Sequence, residues 1–317
     1  MPLCNALEGL YDPDVGMEAG AADFVSVPGR RHAIFAALVA LRPHQWTKNL
    51  LVFAGIVFAV QIDDPVRWLQ ATACFVAYCA ASSAAYLFND IRDRDADRAH
   101  PVKRARPIAS GELSVRAASW MAVALLAVAI AAIVPLGLAS VGLLVLFVAL
   151  QTSYTLALKH VVLVDVLVIA GLFVIRAAAG AEAVRVLLSP WLLLCTGLLA
   201  LFLALGKRRG ELVLVERQAT PGRRVLDGYT VAIIDQFITI TAAATIVAYA
   251  LYTFTASVSN SLMITIPYVV FGVFRYMLLI NGRHVGEEPE HVLVTDRPIL
   301  AAMCAWVVTC VVVLALD

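Results

Sequence analysis

Three aspartates and an asparagine are spaced so that they fall on one side of a helix. In the run NDIRDRDAD, Asn89, Asp90, Asp93 and Asp97 cover an arc of about 100°, whereas Asp95 falls on the other side. Carboxylates on one face repel one another unless a cation lies between them, and hard oxygen ligands suit Mg²⁺. The spacing therefore predicts a magnesium site with Asp90, Asp93 and Asp97 as catalytic ligands, helped by Asn89.

The same acids also fit a simpler interpretation. Four aspartates and six Lys or Arg residues fall between Asp90 and Arg106, and such charge runs commonly form a solvated face. In that case the acids would pair with their neighbours Arg92, Arg94 and Arg98.

A basic loop follows the acids. Two prolines in HPVKRARPIASG interrupt the helix, so Lys103 and Arg106 are expected on a stiff loop beside the carboxylates. A diphosphate bridged by Mg²⁺ needs this combination, because the metal binds some oxygens and cationic donors bind the rest.

The surrounding chain is too apolar for a soluble domain. Its 317 residues are 62% hydrophobic and 15% charged, with a mean hydropathy of +0.86, whereas a soluble domain must cover itself with polar surface. Apolar runs of about 18–25 residues can each cross about 30 Å of hydrocarbon. We predict an all-α polytopic membrane protein with nine spans: 43–61, 67–88, 115–134, 138–158, 161–181, 189–206, 230–255, 262–281 and 298–316.

Two regions are expected from this pattern: a disordered tail, residues 1–30, and a membrane-embedded catalytic domain, residues 31–317. The tail lacks a basic n-region, so it is not predicted to be a signal peptide. Residues 31–42 are too short to span and are expected along the interface.

Basic residues set the predicted orientation. All of the 24 Lys and Arg residues except Arg67, Arg176 and Arg185 fall on one side of the predicted spans. The positive-inside rule then places the N-terminus in the cytoplasm and the C-terminus outside the plasma membrane. The acidic run faces the cytoplasm in this topology.

A second basic cluster ends the sixth predicted span. In GKRRGEL, Lys207, Arg208 and Glu211 share a mostly cationic face and Arg209 lies opposite. Such residues can bind an anionic group, or they can be positive-inside anchors. Arg209 is expected to be an anchor whose replacement is nearly silent.

Other polar residues are weaker candidates, since each has a structural explanation such as an interfacial belt or snorkelling. Asp165 is favoured for a cavity role, because intramembrane charges usually face a cavity or a partner, whereas Arg176 fits a buried structural pair equally well. The remaining candidates are Arg42, Gln45, Trp46, Asn49 and Lys48 on the first span, Tyr154 and Lys159 at the end of the fourth, and Asp235 and Gln236 on the seventh. Loop charge is expected for Arg275, Arg283, Glu287, Glu288 and Asp296.

The acidic run has the pattern NDxxDxxxD, which resembles the first aspartate-rich motif of the UbiA superfamily of intramembrane prenyltransferases. Five segments together resemble the phosphoribosyltransferase branch of this superfamily, which serves cell-wall arabinan synthesis. They are RPHQWTKN, the whole run from NDIRDRDAD to IASG, YTLALKH, GKRRGEL and GEEPEHVLVTDR. The likeness extends from about residue 38 to the C-terminus. It implies a nine-helix bundle with a cytoplasm-facing polar cavity beneath two loops.

The resemblance also implies a reaction. Ordinary prenyltransferases carry a second aspartate-rich motif where GKRRGEL stands, and cations there suggest a site for a further anionic group. The family then implies Mg²⁺-dependent transfer of 5-phosphoribosyl from phosphoribosyl diphosphate to polyprenyl (decaprenyl) phosphate, with inversion at C1. The expected substrate-binding residues are Asn89, Arg42, Lys48, Lys103, Arg106, Tyr154, Lys159, Asp165, Lys207, Arg208 and Glu211.

Two other functions stay open. One is transfer of a polyprenyl chain to a small acceptor, against which the basic GKRRGEL argues. The other is a transporter or lipid-binding membrane protein, although transporters usually show inverted repeats and helices broken at the midplane. A nucleic-acid partner is not predicted.

Overall fold

Helices form all of the regular structure in the residues that the computed structural model describes, which are 33–58, 64–100, 103–187, 189–216, 224–255, 260–282, 292 and 295–316. The predicted tail and the predicted loop charges Arg283, Glu287 and Glu288 lie outside them. The α-helices are α1 (Ala33–Leu41), α2 (Ala54–Phe58), α3 (Pro65–Arg92), α4 (Arg94–Ala99), α5 (Pro107–Ser110), α6 (Val115–Ile133), α7 (Leu138–Leu156), α8 (Val164–Ala183), α9 (Pro190–Glu216), α10 (Val231–Thr255), α11 (Ile266–Gly282) and α12 (Arg297–Leu316).

Seven helical segments among the described residues are long and apolar enough to cross a membrane, and they correspond to seven of the nine predicted spans. They are Pro65–Arg92, Val115–Leu136, Leu138–Leu156, Val164–Ala183, Pro190–Glu216, Val231–Thr255 and Ser261–Gly282. The described apolar stretch of the last predicted span, Arg297–Val313, is shorter. Large apolar side chains on the outside of the bundle, among them Leu69, Trp120 and Leu138, fit a surface covered by lipid.

The first predicted span, 43–61, is not one continuous α-helix. A 3₁₀-helix runs from Pro43 to Phe53, and the five-residue α2 follows it. Pro43 suits the first position of a helix because it needs no N–H partner there. Two polar side chains of this segment bond to neighbouring helices, Trp46 to α3 and Asn49 to α8. Hydropathy does not report such contacts.

Local capping fixes where the site-bearing helix begins and ends. The Asp64 side chain accepts a hydrogen bond from the Val66 N–H at 2.8 Å, with Pro65 at the first helical position. The helix α3 then continues for 28 residues to Arg92, with Asp93 as its C-cap. Asp90 and Asp93 are thereby held at one end of a long, largely buried helix.

Two apolar clusters hold the bundle together. The first joins α3, α7 and α8, with Tyr78 and Phe147 rings 5.0 Å apart between centroids. The second joins α8, α9, α10 and α11, with Phe202 against Tyr276. Because α8 belongs to both clusters, it fixes the ends of α3 and α7 relative to the end of α9, and the polar residues gather there.

Candidate active site

Asp90 is the most enclosed carboxylate of the acidic run. Its side chain is 3% exposed, and Arg42 donates from Nη2 to Oδ1 at 2.6 Å and to Oδ2 at 2.9 Å. Arg106 Nη1 lies 3.2 Å from Oδ1. A buried carboxylate is stable only when its charge is matched, and here two guanidinium groups from distant parts of the chain match it.

Asp97 shares one of these cations. Arg106 Nη1 donates to Asp97 Oδ2 at 2.7 Å as well as to Asp90, so a single nitrogen atom lies between the two carboxylates. The turn at Asp93 directs α4 back so that Asp97 faces the end of α3. Two hard, buried oxygen ligands that converge on one cation fit the chemistry of a divalent metal ion.

Asp93, by contrast, turns to a different element. Its carboxylate accepts from Lys159 Nζ at 3.1 Å and 3.4 Å. Across the described ranges, no group of three or more His, Cys, Asp and Glu residues is close enough to hold a metal ion. The predicted three-carboxylate cluster is therefore not assembled in this structure, because separate cations draw Asp93 and the pair of Asp90 and Asp97 apart.

Among the four aspartates of the run, only Asp95 forms ion pairs with its neighbours in sequence, as the simpler interpretation expected. Arg94 and Arg98 lie 3.3 Å and 3.7 Å from Asp95 Oδ1. The remaining acids contact Arg42, Arg106 and Lys159, which come from other elements. The division between one outer acid and three inner acids is the one that helical spacing predicts.

Arg42 has a strained backbone. Its φ of 53° and ψ of 59° lie in the left-handed region, which costs a non-glycine residue about 1–2 kcal/mol. The guanidinium also lies 5.0 Å above the Tyr86 ring centroid. Strained residues of this kind cluster at functional sites, and here the strain accompanies the contact with Asp90.

The remaining predicted residues of this cluster lie at its edge. Asn89 is half-buried, and its carbonyl accepts from the Asp93 N–H at 2.9 Å. Lys48 and Lys103 are half-buried. His100 Nδ1 accepts from the Lys103 N–H at 3.3 Å, and partial burial together with Lys103 lowers the pKa of His100 below its ordinary value, which favours the neutral acceptor.

A second cluster surrounds Arg208, whose side chain is 2% exposed. Its Nε donates to Asp165 Oδ2 at 2.6 Å, its Nη1 to Glu211, and its Nη2 to the Tyr154 hydroxyl at 3.3 Å. Within the mostly cationic face predicted for Lys207, Arg208 and Glu211, the charge of Arg208 is matched by two carboxylates. Angular placement on one helix could not reveal Asp165, which α8 contributes.

Tyr229 belongs to this cluster and was missed by the sequence analysis. Its hydroxyl donates to Asp165 Oδ1 at 3.0 Å and accepts from the Leu163 N–H at 2.7 Å. Burial raises the pKa of Tyr229 to about 12, so the phenol stays protonated and can donate. A tyrosine between two spans carries no spacing signal that would have identified it.

Arg209 is not a solvent-facing anchor. It is 8% exposed, its Nε donates to Asp235 at 2.5 Å, and its Nη1 donates to the Ile280 carbonyl at 2.9 Å. Its contacts fit a structural role, because α9 continues to Glu216 and this side of the helix contacts α10 and α11. The effect of replacing Arg209 stays a prediction. Lys207 is half-buried on the same turn, and Gln236 is exposed.

The two clusters lie at the same end of the bundle. Tyr154 at the end of α7 contacts Arg208, and Lys159 in the following 3₁₀ turn contacts Asp93. The arrangement therefore places an acidic, cation-rimmed site next to a buried ion-pair network.

The predicted loop charges Arg275 and Asp296 instead pair with each other at 2.9 Å, between α11 and α12.

Comparison with known proteins agrees with this geometry. The sequence model of the UbiA prenyltransferase family matches residues 50–292. A decaprenyl-phosphate phosphoribosyltransferase of Mycolicibacterium smegmatis is 35% identical over 88% of this chain and 92% of that protein. The enzyme of the same name from Corynebacterium glutamicum is 35% identical over 84% of this chain and 83% of its own length.

Solved structures share the fold. A UbiA homolog from Archaeoglobus fulgidus bound to DMAPP and Mg²⁺ has a TM-score of 0.68 at 18% identity, covering 89% of this chain and all of that one. The apo UbiA homolog from Aeropyrum pernix K1 has a TM-score of 0.64 at 16% identity, covering 83% and 97%. Identities this low support the shared architecture alone.

Proposed function

The chain belongs to the UbiA prenyltransferase family, and we propose that it transfers 5-phosphoribosyl from phosphoribosyl diphosphate to polyprenyl phosphate. The relatives named decaprenyl-phosphate phosphoribosyltransferase carry this proposal, because the likeness to them extends over most of both chains. The end of the sixth predicted span has the basic sequence GKRRGEL where ordinary prenyltransferases carry a second aspartate-rich motif. This difference also favours phosphoribosyl transfer over prenyl transfer. The product would be a lipid-linked ribose precursor of cell-wall arabinan.

The acidic cluster is the proposed diphosphate site. Asp90 and Asp97 would hold Mg²⁺, with Asp93 and Asn89 as further oxygen ligands, and the bound ion would neutralise negative charge on the leaving diphosphate. Arg42, Arg106 and Lys159 now donate to these carboxylates. With substrate bound, we propose that they donate to diphosphate oxygens, so each cation exchanges one anionic partner for another.

The second cluster is the proposed support for the acceptor side. The ion pair of Arg208 with Asp165 and Glu211 orients the Tyr154 hydroxyl toward the rim between the clusters. Lys207, which is half-buried, is the cation proposed for the sugar 5-phosphate or the lipid phosphate. Arg208 itself acts as a scaffold, because its donors are engaged by protein oxygens.

The proposed chemistry needs no strong general base. A lipid phosphate is already ionised at neutral pH, so its oxygen can form the new bond to C1 as the C1–O bond to diphosphate breaks. Cations held around the leaving group stabilise the charge that develops on it. Attack opposite the leaving diphosphate would invert C1.

The test of this function is a transfer assay in detergent. Protein incubated with ribose-labelled phosphoribosyl diphosphate, Mg²⁺ and polyprenyl phosphate should move label into the organic phase, and chelation of the metal should stop the transfer. A parallel reaction supplies a prenyl diphosphate and an aromatic acceptor. Prenylation of the acceptor without ribose transfer would favour the rival prenyltransferase function, and activity in neither reaction would favour a transporter or lipid-binding role.

The proposed orientation makes a separate prediction. We propose a plasma-membrane protein with a cytoplasmic N-terminus and nine spans. Ser110, which is exposed at the end of α5, then faces the cytoplasm. In a background without other accessible cysteines, Ser110→Cys should resist membrane-impermeant thiol reagents in intact cells and react after permeabilisation. Labelling of intact cells would reverse the orientation.

A further inference from the structure

The 3₁₀-helix Pro43–Phe53 is unusually long. It covers eleven residues, whereas 3₁₀ runs beyond three or four residues are uncommon because their hydrogen-bond geometry is poorer than that of an α-helix. A segment of this length in the less stable form requires contacts from outside to hold it. The contacts of this segment therefore bear on what it does.

Its side chains are arranged with a period of three, as a 3₁₀-helix with three residues per turn requires. The inward positions recur at Trp46, Asn49 and Val52, of which Asn49 and Val52 are fully buried. The exposed positions recur with the same spacing at His44, Thr47 and Leu50. An α-helix would rotate successive members of each set by about 60° and break this alignment.

Each inward position meets a neighbouring helix. Trp46 Nε1 donates to Ser83 Oγ of α3 at 3.0 Å. The Val52 carbonyl oxygen packs against Gly180 of α8 so closely that a Cβ on that glycine would lie 1.9 Å away. The segment is thus fixed at both ends by contacts that depend on its present register.

The middle contact is polar and fully enclosed. Arg176, 5% exposed, donates from Nε to Asn49 Oδ1 at 2.7 Å and from Nη1 to the Leu172 carbonyl at 3.0 Å, and its guanidinium lies 4.7 Å above the Phe147 ring centroid. Within the described part of the chain, no carboxylate pairs with Arg176. A buried cation with an amide in place of a counter-ion is costly in a membrane, and charges inside membrane proteins commonly have a functional role.

The register of this segment determines the reach of Arg42. A 3₁₀-helix rises about 2.0 Å per residue and an α-helix about 1.5 Å, so conversion of eleven residues would shorten the segment by about 5 Å. Arg42 immediately precedes it and contacts Asp90 at 2.6 Å. A shortening of that size would withdraw the guanidinium from the carboxylate.

We propose that Arg176 and Asn49 are positioning residues that hold residues 43–53 as a 3₁₀-helix and thereby place Arg42 at Asp90. The catalytic importance of this placement rests on the proposed function, whereas the structural part does not. Arg176 lies eleven residues from Asp165 along α8, a rise of about 16 Å, so it is not part of the cluster around Arg208.

The structural part is tested without any activity measurement. Nitroxide labels are placed singly at positions 43 to 53 other than 46, 49 and 52, whose side chains face inward. The accessible cysteines are removed, and the relaxation of each label by oxygen is measured. In the parent, the accessibility of the labels to oxygen should repeat every three residues. In Arg176→Met, the repeat should shift toward 3.6 residues. Asn49→Leu removes the same bond from the other side and serves if Arg176→Met does not fold. An α-helical period in the parent, or an unchanged period in the folded variant, would overturn the proposal.

The functional part is tested by a double-mutant cycle. Arg176→Met should lower kcat/KM for phosphoribosyl diphosphate by about tenfold or more in the parent, and should cause little further loss in an Arg42→Ala background. Thr47→Val, on the exposed face, is the control and should match the parent. If the loss of kcat/KM in the double variant equals the product of the two single losses, Arg176 acts independently of Arg42. Absence of phosphoribosyl transfer by the parent would instead contradict the proposed function and leave the labelling result standing.

Discussion

Replacing Asp93 by alanine is expected to lower turnover by about 10³-fold or more and to leave the melting temperature close to that of the parent. Asp93 is proposed to coordinate the metal ion that neutralises the leaving diphosphate. Loss of this stabilisation raises the activation free energy by several kcal/mol. Its structural contribution is small, because the carboxylate is 29% exposed and forms one ion pair with Lys159. Steady-state kinetics and thermal unfolding in the same detergent measure the two effects.

Asp95→Ala is the matched control for this prediction. Asp95 lies two residues away and also forms ion pairs, but its side chain is 83% exposed and faces Arg94 and Arg98. Its replacement should change turnover by less than about twofold, as is usual for exposed positions away from a site. Equal losses in the two variants would mean that the run acts as a diffuse charged surface and not as a defined site.

Removing Arg208 should chiefly affect stability. Arg208→Met leaves the buried carboxylates of Asp165 and Glu211 without their cation, and breaking a buried pair in this way typically costs about 3–5 kcal/mol. We expect a melting temperature lower by several degrees in thermal unfolding. A second change, Asp165→Asn, should recover part of the loss because it removes the unmatched buried charge.

Lys207→Gln is the comparison for Arg208→Met. Lys207 precedes Arg208 on the same helical turn but is only half-buried. We expect its melting temperature to stay near that of the parent, while KM for one of the two substrates rises by about 10- to 150-fold if it binds a phosphate. An Arg208→Met protein with unchanged stability and a raised KM would show that Arg208 binds substrate directly and that its scaffold role is wrong.

Helical periodicity correctly predicted that Asp95 lies apart from Asp90 and Asp97, because the run remains helical across Asp90. It did not predict that Asp93 turns to Lys159. It separated Asp95, which contacts exposed neighbours, from Asp90 and Asp97, which converge on Arg106. Hydropathy likewise predicted the seven segments that are confirmed as long apolar helices. These features depend on residues close together in sequence, where spacing alone determines which side chains are neighbours.

Contacts between distant elements could not be predicted in this way. The surroundings of Arg208 depend on how α8 packs against α9, so Asp165 and Tyr229 were not expected as its network. Arg209 was expected to be an anchor on the side opposite Arg208, because a single helix does not show that α10 and α11 cover that side. The 3₁₀-helix was not predicted for the same reason, because its form depends on contacts with α3 and α8.

The most direct test of the proposed reaction is identification of the lipid product. The purified protein is incubated with phosphoribosyl diphosphate, Mg²⁺ and polyprenyl phosphate, and the organic-phase product is examined by ³¹P and ¹H NMR beside the product of Asp93→Ala. We predict equal amounts of a phosphodiester joining ribose C1 to the lipid and a 5-phosphate monoester, with C1 inverted relative to the donor, and almost no product from the variant. A lipid recovered unchanged from the parent reaction, with phosphoribosyl diphosphate intact, would contradict the assignment.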